Sequence, residues 1–221
     1  MRENLAGALR LLLVTDDRLV GLGALVATCQ AAVAGGVTAV QLRLKSVSDA
    51  ELLEAARSLV TALSVPVLIN DRLDIALAAG AAGVHLGADD LPPDRARRIV
   101  PDGFIIGSTV GDAAEAVRGH AADYWGIGPL HATATKDDAG VALGFAGARS
   151  LLALGGGRPA VVIGGVRPAD VAAAREAGFA GVAVASGILG PSAEPRPSGR
   201  GLVGSQRNVL VKSRARVYAR A

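Results

Sequence analysis

Basic and amide side chains alternate with apolar residues in one short run of this 221-residue chain. The run VQLRLK (residues 40–45) has Gln41, Arg43 and Lys45 at every second position, so in a strand all three side chains point to the same face. Arg binds a phosphate through two parallel hydrogen bonds, and Lys supplies a mobile point charge. The spacing therefore predicts an anion-binding set. The alternative is a buried Arg43 that pairs with an acid across the fold.

Carboxylates end the next two apolar runs. In LINDRLDIALAAGAAGVHLGADD (residues 68–90), Asn70 and Asp71 follow the first run, and Asp89 and Asp90 follow the second. Each acid could cap the helix that follows it, since a short polar side chain accepts hydrogen bonds from the first backbone N–H groups. Because Arg43 and Lys45 would lie nearby, the acids have a second interpretation. Carboxylates next to a bound diphosphate are a usual way to hold Mg²⁺. Both interpretations stay open at this point.

Eight short β-rich runs alternate with Ala-rich segments of helical spacing. The near-copies AGGVTAV, AGAAGVHL and AGFAGVAV each place a glycine cap between a helix end and a buried strand. Strands that are continuous apolar runs are buried on both faces, which indicates a parallel sheet. The pattern predicts an α/β fold, a parallel eight-stranded (β/α)8 TIM barrel over residues 1–189, with a doubly wound open sheet as the alternative. The runs cover residues 9–15, 37–44, 65–70, 83–87, 104–108, 124–128, 160–164 and 181–185.

Phosphate-type groups recur after the later strands. The loop GPLHATATKDDAG (residues 128–140) is longer than its neighbours and is bounded by glycines, so it could close over a substrate; a solvated surface loop is the alternative. It carries Thr133, Thr135 and Lys136. Two further pairs would follow strands 7 and 8, where barrels commonly bind phosphate through backbone N–H groups. These pairs are Gly164-Gly165 and Ser186-Gly187. Two anion subsites are therefore predicted, which suggests two phosphorylated substrates that are joined.

Charge and cysteine content exclude several classes of protein. From Gly190 onward the chain has seven basic residues and one acid, a net charge of +6. The whole chain has a net charge of +3, so residues 1–189 carry a net charge of −3. A basic body would indicate nucleic acid, and this body is not basic. The single cysteine, Cys29, excludes a disulfide framework and favours a reducing, cytoplasmic location. No apolar run reaches about 18 residues, so no transmembrane helix is predicted.

The last part of the chain has a different composition. Residues 190–221 read GPSAEPRPSGRGLVGSQRNVLVKSRARVYARA, a Pro/Gly/Ser-rich stretch followed by a basic run. Such a segment has few apolar residues with which to join a packed core. We predict that this tail is disordered or only loosely docked, and that it stands in place of a regular last helix.

The motifs QLRLK, INDR, HLGADD, GPLHATATK, IGGV and AVASGI, in this order across residues 9–189, resemble the thiamine phosphate synthase family. The resemblance implies a barrel enzyme that joins 4-amino-2-methyl-5-pyrimidinylmethyl diphosphate to a thiazole phosphate, with Mg²⁺, and releases pyrophosphate. It implies a dissociative reaction, in which the diphosphate leaves first and the thiazole nitrogen traps a pyrimidine-stabilised cation. The implied partners are these small-molecule substrates, with no nucleic acid and no membrane, and a homo-oligomer is left open.

The resemblance carries roles to particular positions. Gln41 would bind the aminopyrimidine, and Asp71 and Asp90 would bind Mg²⁺, with Asp89 only a solvated neighbour or a cap. The diphosphate ligands would be Arg43, Lys45, Asn70 and Lys136. The catalytic groups would be Arg43, Lys45 and Lys136. Such chemistry requires no general base, so His85, near the pyrimidine, would be an ordinary inward barrel residue.

The thiazole phosphate would be bound by the later loops, largely through backbone or hydroxyl donors. These ligands would be Thr133, Thr135, Gly164, Gly165 and Ser186. After strand 5 the chain has GSTVGD where the family usually has Gly-x-Ser-x-His, so either Ser108 or Thr109 must fill the serine's role. Leu44 stands where the family usually has an acid, with little expected effect because its side chain would face the helices. Ala88 replaces a usual Gln, which would remove a substrate contact.

Two other functions compete with the synthase. The related thiazole tautomerase uses the same barrel for proton transfer on one thiazole phosphate, and it needs a base but no metal–diphosphate set. The presence of Arg43, Lys45, Asp71 and Asp90 together therefore argues against it. The altered loop after strand 5 and the irregular tail keep a third possibility open, a barrel that binds a phosphorylated ligand without turnover.

Overall fold

The strands of the protein close into one parallel barrel. A computed structural model describes residues 4–132, 141–190 and 204–221, and its eight strands pair in chain order, with β8 returning to β1. The predicted (β/α)8 barrel is confirmed, and the open sheet is excluded because each strand has two neighbours. From β1 to β8 the strands are Leu11–Val14, Ala39–Leu42, Val67–Asn70, Gly83–Leu86, Ile105–Val110, Tyr124–Ile127, Ala160–Val162 and Gly181–Val184.

Helices connect the strands and cover the outside of the barrel. Their ends follow local rules; α3, for example, begins with a capping box in which Ser48 and Glu51 each accept a hydrogen bond from the other's backbone N–H. Within the described residues, α1 to α10 are Leu5–Ala8, Leu22–Ala34, Asp49–Ala62, Leu73–Ala78, Pro93–Ala96, Ala113–Arg118, Gly144–Ala153, Asp170–Glu176, Ser186–Leu189 and Gly204–Arg220. None of the described helices is long and apolar enough to cross a membrane.

Two apolar clusters form the core, one inside the barrel and one between the strands and the helices. A small inner cluster, which includes Leu12, Leu68 and Tyr124, occupies the barrel interior together with Leu5 and Leu9 of the N-terminal segment. A larger outer cluster lies between the strands and the helices and includes the buried Cys29. Since side chains alternate along each strand, the strands other than β4 supply both clusters. The cationic and acidic side chains of the barrel mouth follow the strand ends and do not lie within the strands.

The C-terminal segment differs from the expectation of a disordered or loosely docked tail. Residues 191–203, in the Pro/Gly/Ser-rich stretch, lie outside the described residues, but Gly204–Arg220 forms the regular helix α10. It packs against α2 and α9 and buries Val211, Ala215 and Tyr218. These three residues are four and three positions apart, which places them on one helical face. The prediction failed because three apolar positions within a basic run are too few to indicate a buried helix face.

Close contact with two glycines fixes α10 on α2. A Cβ at Gly35 would lie 2.5 Å from the carbonyl oxygen of Lys212 and 2.6 Å from the Cβ of Ala215. A Cβ at Gly36 would lie 2.6 Å from the Cβ of Ala219. All three distances are shorter than side chains normally allow, so the two helices meet through residues with little or no side chain.

Gly35→Ala should therefore destabilise the protein by about 1–3 kcal/mol, because the new methyl group overpacks the α2–α10 contact. The matched control is Gly23→Ala on the same helix, where an added Cβ meets nothing within 4 Å; it should be neutral or stabilising by up to about 1 kcal/mol. Urea unfolding measures both. Equal stabilities of the two variants would show that α10 is not held in this contact.

Candidate active site

A cleft of about 690 Å³ opens at the carboxyl ends of the strands. It is lined by residues that follow β1 to β5 on one side and β6 to β8 on the other. Most of the predicted site residues that the structure describes line this one cleft: Gln41, Arg43, Lys45, Asn70, Asp71, Thr109, Gly164, Gly165 and Ser186. The strands thus bring together residues that are far apart in the chain.

The end of β1 holds the cationic segment after β2 in place. The Thr15 hydroxyl accepts a hydrogen bond from the Arg43 N–H at 2.8 Å and donates one to the Arg43 carbonyl at 3.1 Å. The carboxylate of Asp17 accepts from the N–H groups of Lys45 and Ser46 at 3.0 and 2.7 Å. Leu44, between the cations, is buried in the outer cluster as predicted. The alternation of the strand therefore continues past its end and directs both cations into the cleft.

Arg43 has an acidic neighbour, as the interpretation of a paired, buried arginine required, but Arg43 shares this acid with Arg18. Its Nη1 lies 3.8 Å from Oδ2 of Asp16, which is almost fully buried. Arg18 binds the same carboxylate more closely, at 3.0 and 2.8 Å. The Arg18 hydrogen bonds hold the pKa of Asp16 below its ordinary value against the opposing effect of burial. One carboxylate beside two guanidinium groups leaves positive charge at this side of the cleft.

Asp71 is directed into the cleft by an unusual backbone turn. Its φ is +63°, the one positive value among described residues other than glycine, and the Arg72 N–H donates to the Asn70 carbonyl at 2.7 Å across it. Its own N–H donates to the carbonyl of His85 at 2.8 Å. A left-handed residue with a side chain is rare and strained, and such strain is found mainly where a site requires it.

The two predicted metal ligands lie together. Nζ of Lys45 donates to Oδ2 of Asp71 at 2.5 Å, and the Asp90 carboxylate interacts with that of Asp71 and accepts from the Gly87 N–H at 2.6 Å. Burial raises the pKa of Asp71, but the hydrogen bonds from Lys45 and Asp90 outweigh burial, so its pKa lies below the ordinary value. Burial also raises the pKa of Asp90, and with the adjacent Asp71 charge it outweighs the Gly87 hydrogen bond.

Neither acid caps a helix. The residue before α4 is Arg72, and the residue before α5 is Pro92, with no side-chain cap at either helix. The helix-capping interpretation is therefore wrong for Asp71 and Asp90. Among the described residues no group of three or more His, Cys, Asp or Glu could enclose a metal. Two adjacent carboxylates suit Mg²⁺, which keeps several waters and binds substrate phosphates.

Polar side chains at the centre of the barrel form the floor of the cleft. Nε2 of Gln41 donates to Oδ1 of Asn70 at 2.8 Å. The ring nitrogens of His85 lie 2.9 Å from the Tyr124 hydroxyl and 3.1 Å from the Thr109 hydroxyl. Burial raises the pKa of Tyr124 well above its ordinary value. The Tyr124 contact was not predicted, although its position at the start of a strand could have placed it inside the barrel.

The structure separates the two candidates after strand 5. β5 continues to Val110, two residues beyond the predicted run, so Thr109 lies within the strand and lines the cleft. Ser108 is paired in register with Leu86 and Trp125 of the neighbouring strands, which belong to the outer cluster. Its buried side chain points away from the cleft, and the expectation that Ser108 could supply the hydroxyl group is wrong.

Two glycines shape the opposite side of the cleft. Gly164 and Gly165 have φ values of +91° and +65°, a region that glycine enters without steric cost. The chain after β6 lies against them, since the His131 N–H donates to the Gly164 carbonyl at 3.0 Å and a Cβ at Gly165 would lie 2.9 Å from the Cβ of His131. The predicted ligands Thr133, Thr135 and Lys136 lie outside the described residues, so their roles stay predictions.

The fold and the cleft together define a class of protein. This is an α/β barrel with cations and carboxylates on one side of its mouth and a double-glycine turn on the other, an arrangement typical of barrels that act on phosphorylated compounds. The family model described as thiamine monophosphate synthase matches residues 11–188. The chain therefore belongs to the thiamine monophosphate synthase family.

Individual relatives agree with this family. A thiamine-phosphate synthase from Methanoculleus marisnigri is 46% identical over 164 residues, 72% of this chain and 77% of the relative. One from Desulfitobacterium hafniense is 39% identical over 203 residues, 90% and 97% of the two chains. The solved thiamine phosphate pyrophosphorylase from Pyrococcus furiosus is similar at a TM-score of 0.76 and 29% identity, with 97% and 98% of the chains covered. A 2-keto-3-deoxy-6-phosphogluconate aldolase of Zymomonas mobilis, 17% identical at a TM-score of 0.65, shares the fold.

The left-handed backbone at Asp71 predicts an inverted order of stabilities. Asp71→Gly should be as stable as Asp71→Ala or more stable, since relief of about 1–2 kcal/mol of left-handed strain exceeds the entropic disadvantage of glycine. The control position is Asp74, in the ordinary helix α4, where the Gly variant should be less stable than the Ala variant by about 1 kcal/mol. Denaturant unfolding without Mg²⁺ gives both differences. The same order at both positions would contradict a strained Asp71.

Proposed function

We propose that the protein condenses 4-amino-2-methyl-5-pyrimidinylmethyl diphosphate with a thiazole phosphate to give thiamine phosphate and pyrophosphate. Its family membership supports this transferase activity. The observation that carries the proposal is the meeting of two different anion-binding sides in one cleft. One side has the cations after β2 and Asp71 after β3, with Asp90 beside Asp71, and the other has the glycine turn after β7. Two substrates that each carry phosphate would be held facing each other.

The diphosphate of the pyrimidine substrate would bind on the cationic side. Arg43 and Lys45 reach the cleft from one strand end, and Asn70 adds an amide that is oriented by Gln41. Asp71 and Asp90 would hold Mg²⁺, which when bound would neutralise charge on the leaving diphosphate. Lys45 now bonds to Asp71, and it would turn to the diphosphate oxygens when that substrate binds. Together these groups would stabilise the negative charge on the leaving diphosphate and so lower the barrier to its departure.

The pyrimidine ring would lie over the floor of the cleft. Gln41 is nearly fully buried there, and we propose it as the ligand of the aminopyrimidine. His85 is bonded through both ring nitrogens to Tyr124 and Thr109, so it serves as a fixed polar wall rather than as a base. A dissociative reaction requires no base, since the thiazole nitrogen attacks the cation with its own lone pair. The surroundings of His85 are consistent with that chemistry.

The thiazole phosphate would bind across the cleft from the diphosphate. Gly164 and Gly165 leave the backbone exposed to the cleft, and Ser186 lines it from the end of β8. Backbone N–H groups and a hydroxyl in a concave turn are the donors that a phosphate monoester needs. Thr133, Thr135 and Lys136 remain proposed ligands on the chain that follows His131. This placement would bring the thiazole nitrogen toward the pyrimidine methylene carbon.

The tautomerase alternative explains less of the cleft. A proton transfer on one thiazole phosphate needs neither the Arg43–Lys45 pair nor two adjacent carboxylates. The cleft as built would be larger and more charged than that reaction requires. We also propose a cytoplasmic location, because a chain with a single cysteine has no internal disulfide framework. A homo-oligomer stays a prediction.

Mixing both substrates with the protein and Mg²⁺ should yield thiamine phosphate and pyrophosphate in equal amounts, and no product should form after chelation of the metal. Liquid chromatography of the mixture measures both products. If folded wild-type protein forms neither product with Mg²⁺ present, the synthase proposal is wrong. That result would favour a barrel that binds a phosphorylated ligand without turnover.

Asp71→Ala and Asp90→Ala should each lower turnover by about 100-fold or more, because each removes a carboxylate that would hold the metal. The matched control is Asp89→Ala, an exposed neighbour of the half-buried Asp90, and its turnover should match wild type. Urea unfolding should show all three variants folded. Activity of the first two variants equal to that of the control would remove both acids from the proposed metal site.

A further inference from the structure

Tyr218 of the C-terminal helix reaches the active-site cleft. The residue is buried and lines the cleft, although α10 lies beyond residues 11–188 that the family model matches. Its hydroxyl donates to the Val166 carbonyl at 2.9 Å. A Cβ at Gly187 would lie 2.2 Å from the same hydroxyl. One phenol therefore contacts both the segment after β7 and the segment after β8.

These two contacts lie next to the proposed phosphate ligands. Val166 directly follows the Gly164-Gly165 turn, and Gly187 directly follows Ser186. The two segments follow β7 and β8, which pair side by side in the barrel, and they leave the strands at its rim. A hydroxyl that bonds to one and packs against the other fixes the distance between them. That distance decides whether their donors can converge on one phosphate group.

The helix that carries Tyr218 is itself held in a fixed position. Gly35 and Gly36 allow α10 to approach α2 through Ala215 and Ala219, which flank Tyr218 in sequence. Nη1 of Arg214, one helical turn earlier, donates to the Ile188 carbonyl of α9 at 3.4 Å. Burial and the nearby Asp170 raise the pKa of Tyr218, so the phenol stays a proton donor at neutral pH. The helix cannot slide or rotate without moving the phenol.

We infer that Tyr218 is a positioning residue for the phosphate monoester of the thiazole substrate, acting through the segments after β7 and β8. The inference rests on the proposed function for the identity of that ligand. It makes α10 part of the active site rather than an outer cover. Tyr218 bonds to no proposed ligand of the diphosphate, so its effect should fall on one substrate and spare the other.

Tyr218→Phe tests the inference because it removes only the hydroxyl. We expect the KM for the thiazole phosphate to rise about three- to tenfold, with kcat and the KM for the pyrimidine diphosphate within twofold of wild type. The control is Val217→Ala, the adjacent half-exposed position of α10, which should change neither KM. Urea unfolding of both variants reports stability. Equal increases of both KM values together with a lower stability would reduce Tyr218 to a structural role and overturn the inference.

A binding measurement separates this inference from the synthase activity. Calorimetric titration should show that Tyr218→Phe weakens binding of the thiazole phosphate by the same three- to tenfold and leaves binding of the unphosphorylated thiazole alcohol unchanged. If wild type binds the thiazole phosphate but forms no product, the proposed function fails while the inference stands. Unchanged affinity of the variant for the thiazole phosphate would overturn the inference even in an active enzyme.

Discussion

A closed parallel barrel buries both faces of every strand, and this constraint decides where charge can lie in the protein. The apolar strand residues form either the inner cluster or the outer cluster, so an unpaired charge within a strand would lose its hydration without compensation. The ends of the strands are the places where solvent or a ligand can supply partners. The cations and acids of the cleft all occur there, and their meeting in one place follows from closure of the sheet.

Two acids at the mouth, Asp16 and Asp71, are paired with cations, whereas Asp90 accepts from the Gly87 N–H and lies beside Asp71. Asp16 is bonded by Arg18 and faces Arg43 at a longer distance, and Asp71 is bonded by Lys45. Removal of the cation from a buried pair of this kind leaves a charge without compensation, which is destabilising. These pairs can also be exchanged for others, because a diphosphate with Mg²⁺ would offer the cations an anion and the acids a cation. The same groups thus stabilise the free protein and prepare the site for a charged substrate.

Much of this structure could be predicted from the sequence because the repeat is regular. The near-copies of Ala-Gly-x-x-Gly-Val predict the barrel, and alternation within VQLRLK places Gln41, Arg43 and Lys45 on one face. Alternation cannot indicate where a strand stops, however, and β5 runs to Val110. That extension decided between Ser108 and Thr109.

Features that depend on distant packing could not be predicted. The buried face of α10 has only Val211, Ala215 and Tyr218 within a basic run, and its contact with Gly35 joins segments that are about 180 residues apart. Glycines at the end of a helix predict a cap, but they do not show which helix will pack there. The left-handed turn at Asp71 is equally hidden, because nothing in the letters INDR requires a positive φ.

Binding of inorganic pyrophosphate tests most directly whether the cationic and acidic groups after β2 to β4 form one diphosphate site. Calorimetric titration should show tight binding of pyrophosphate with Mg²⁺ present, at least about tenfold weaker binding after chelation of the metal, and a similar loss in Arg43→Gln with Mg²⁺ present. Pyrophosphate affinity that depends on neither Mg²⁺ nor Arg43 would contradict a diphosphate site at this side of the barrel.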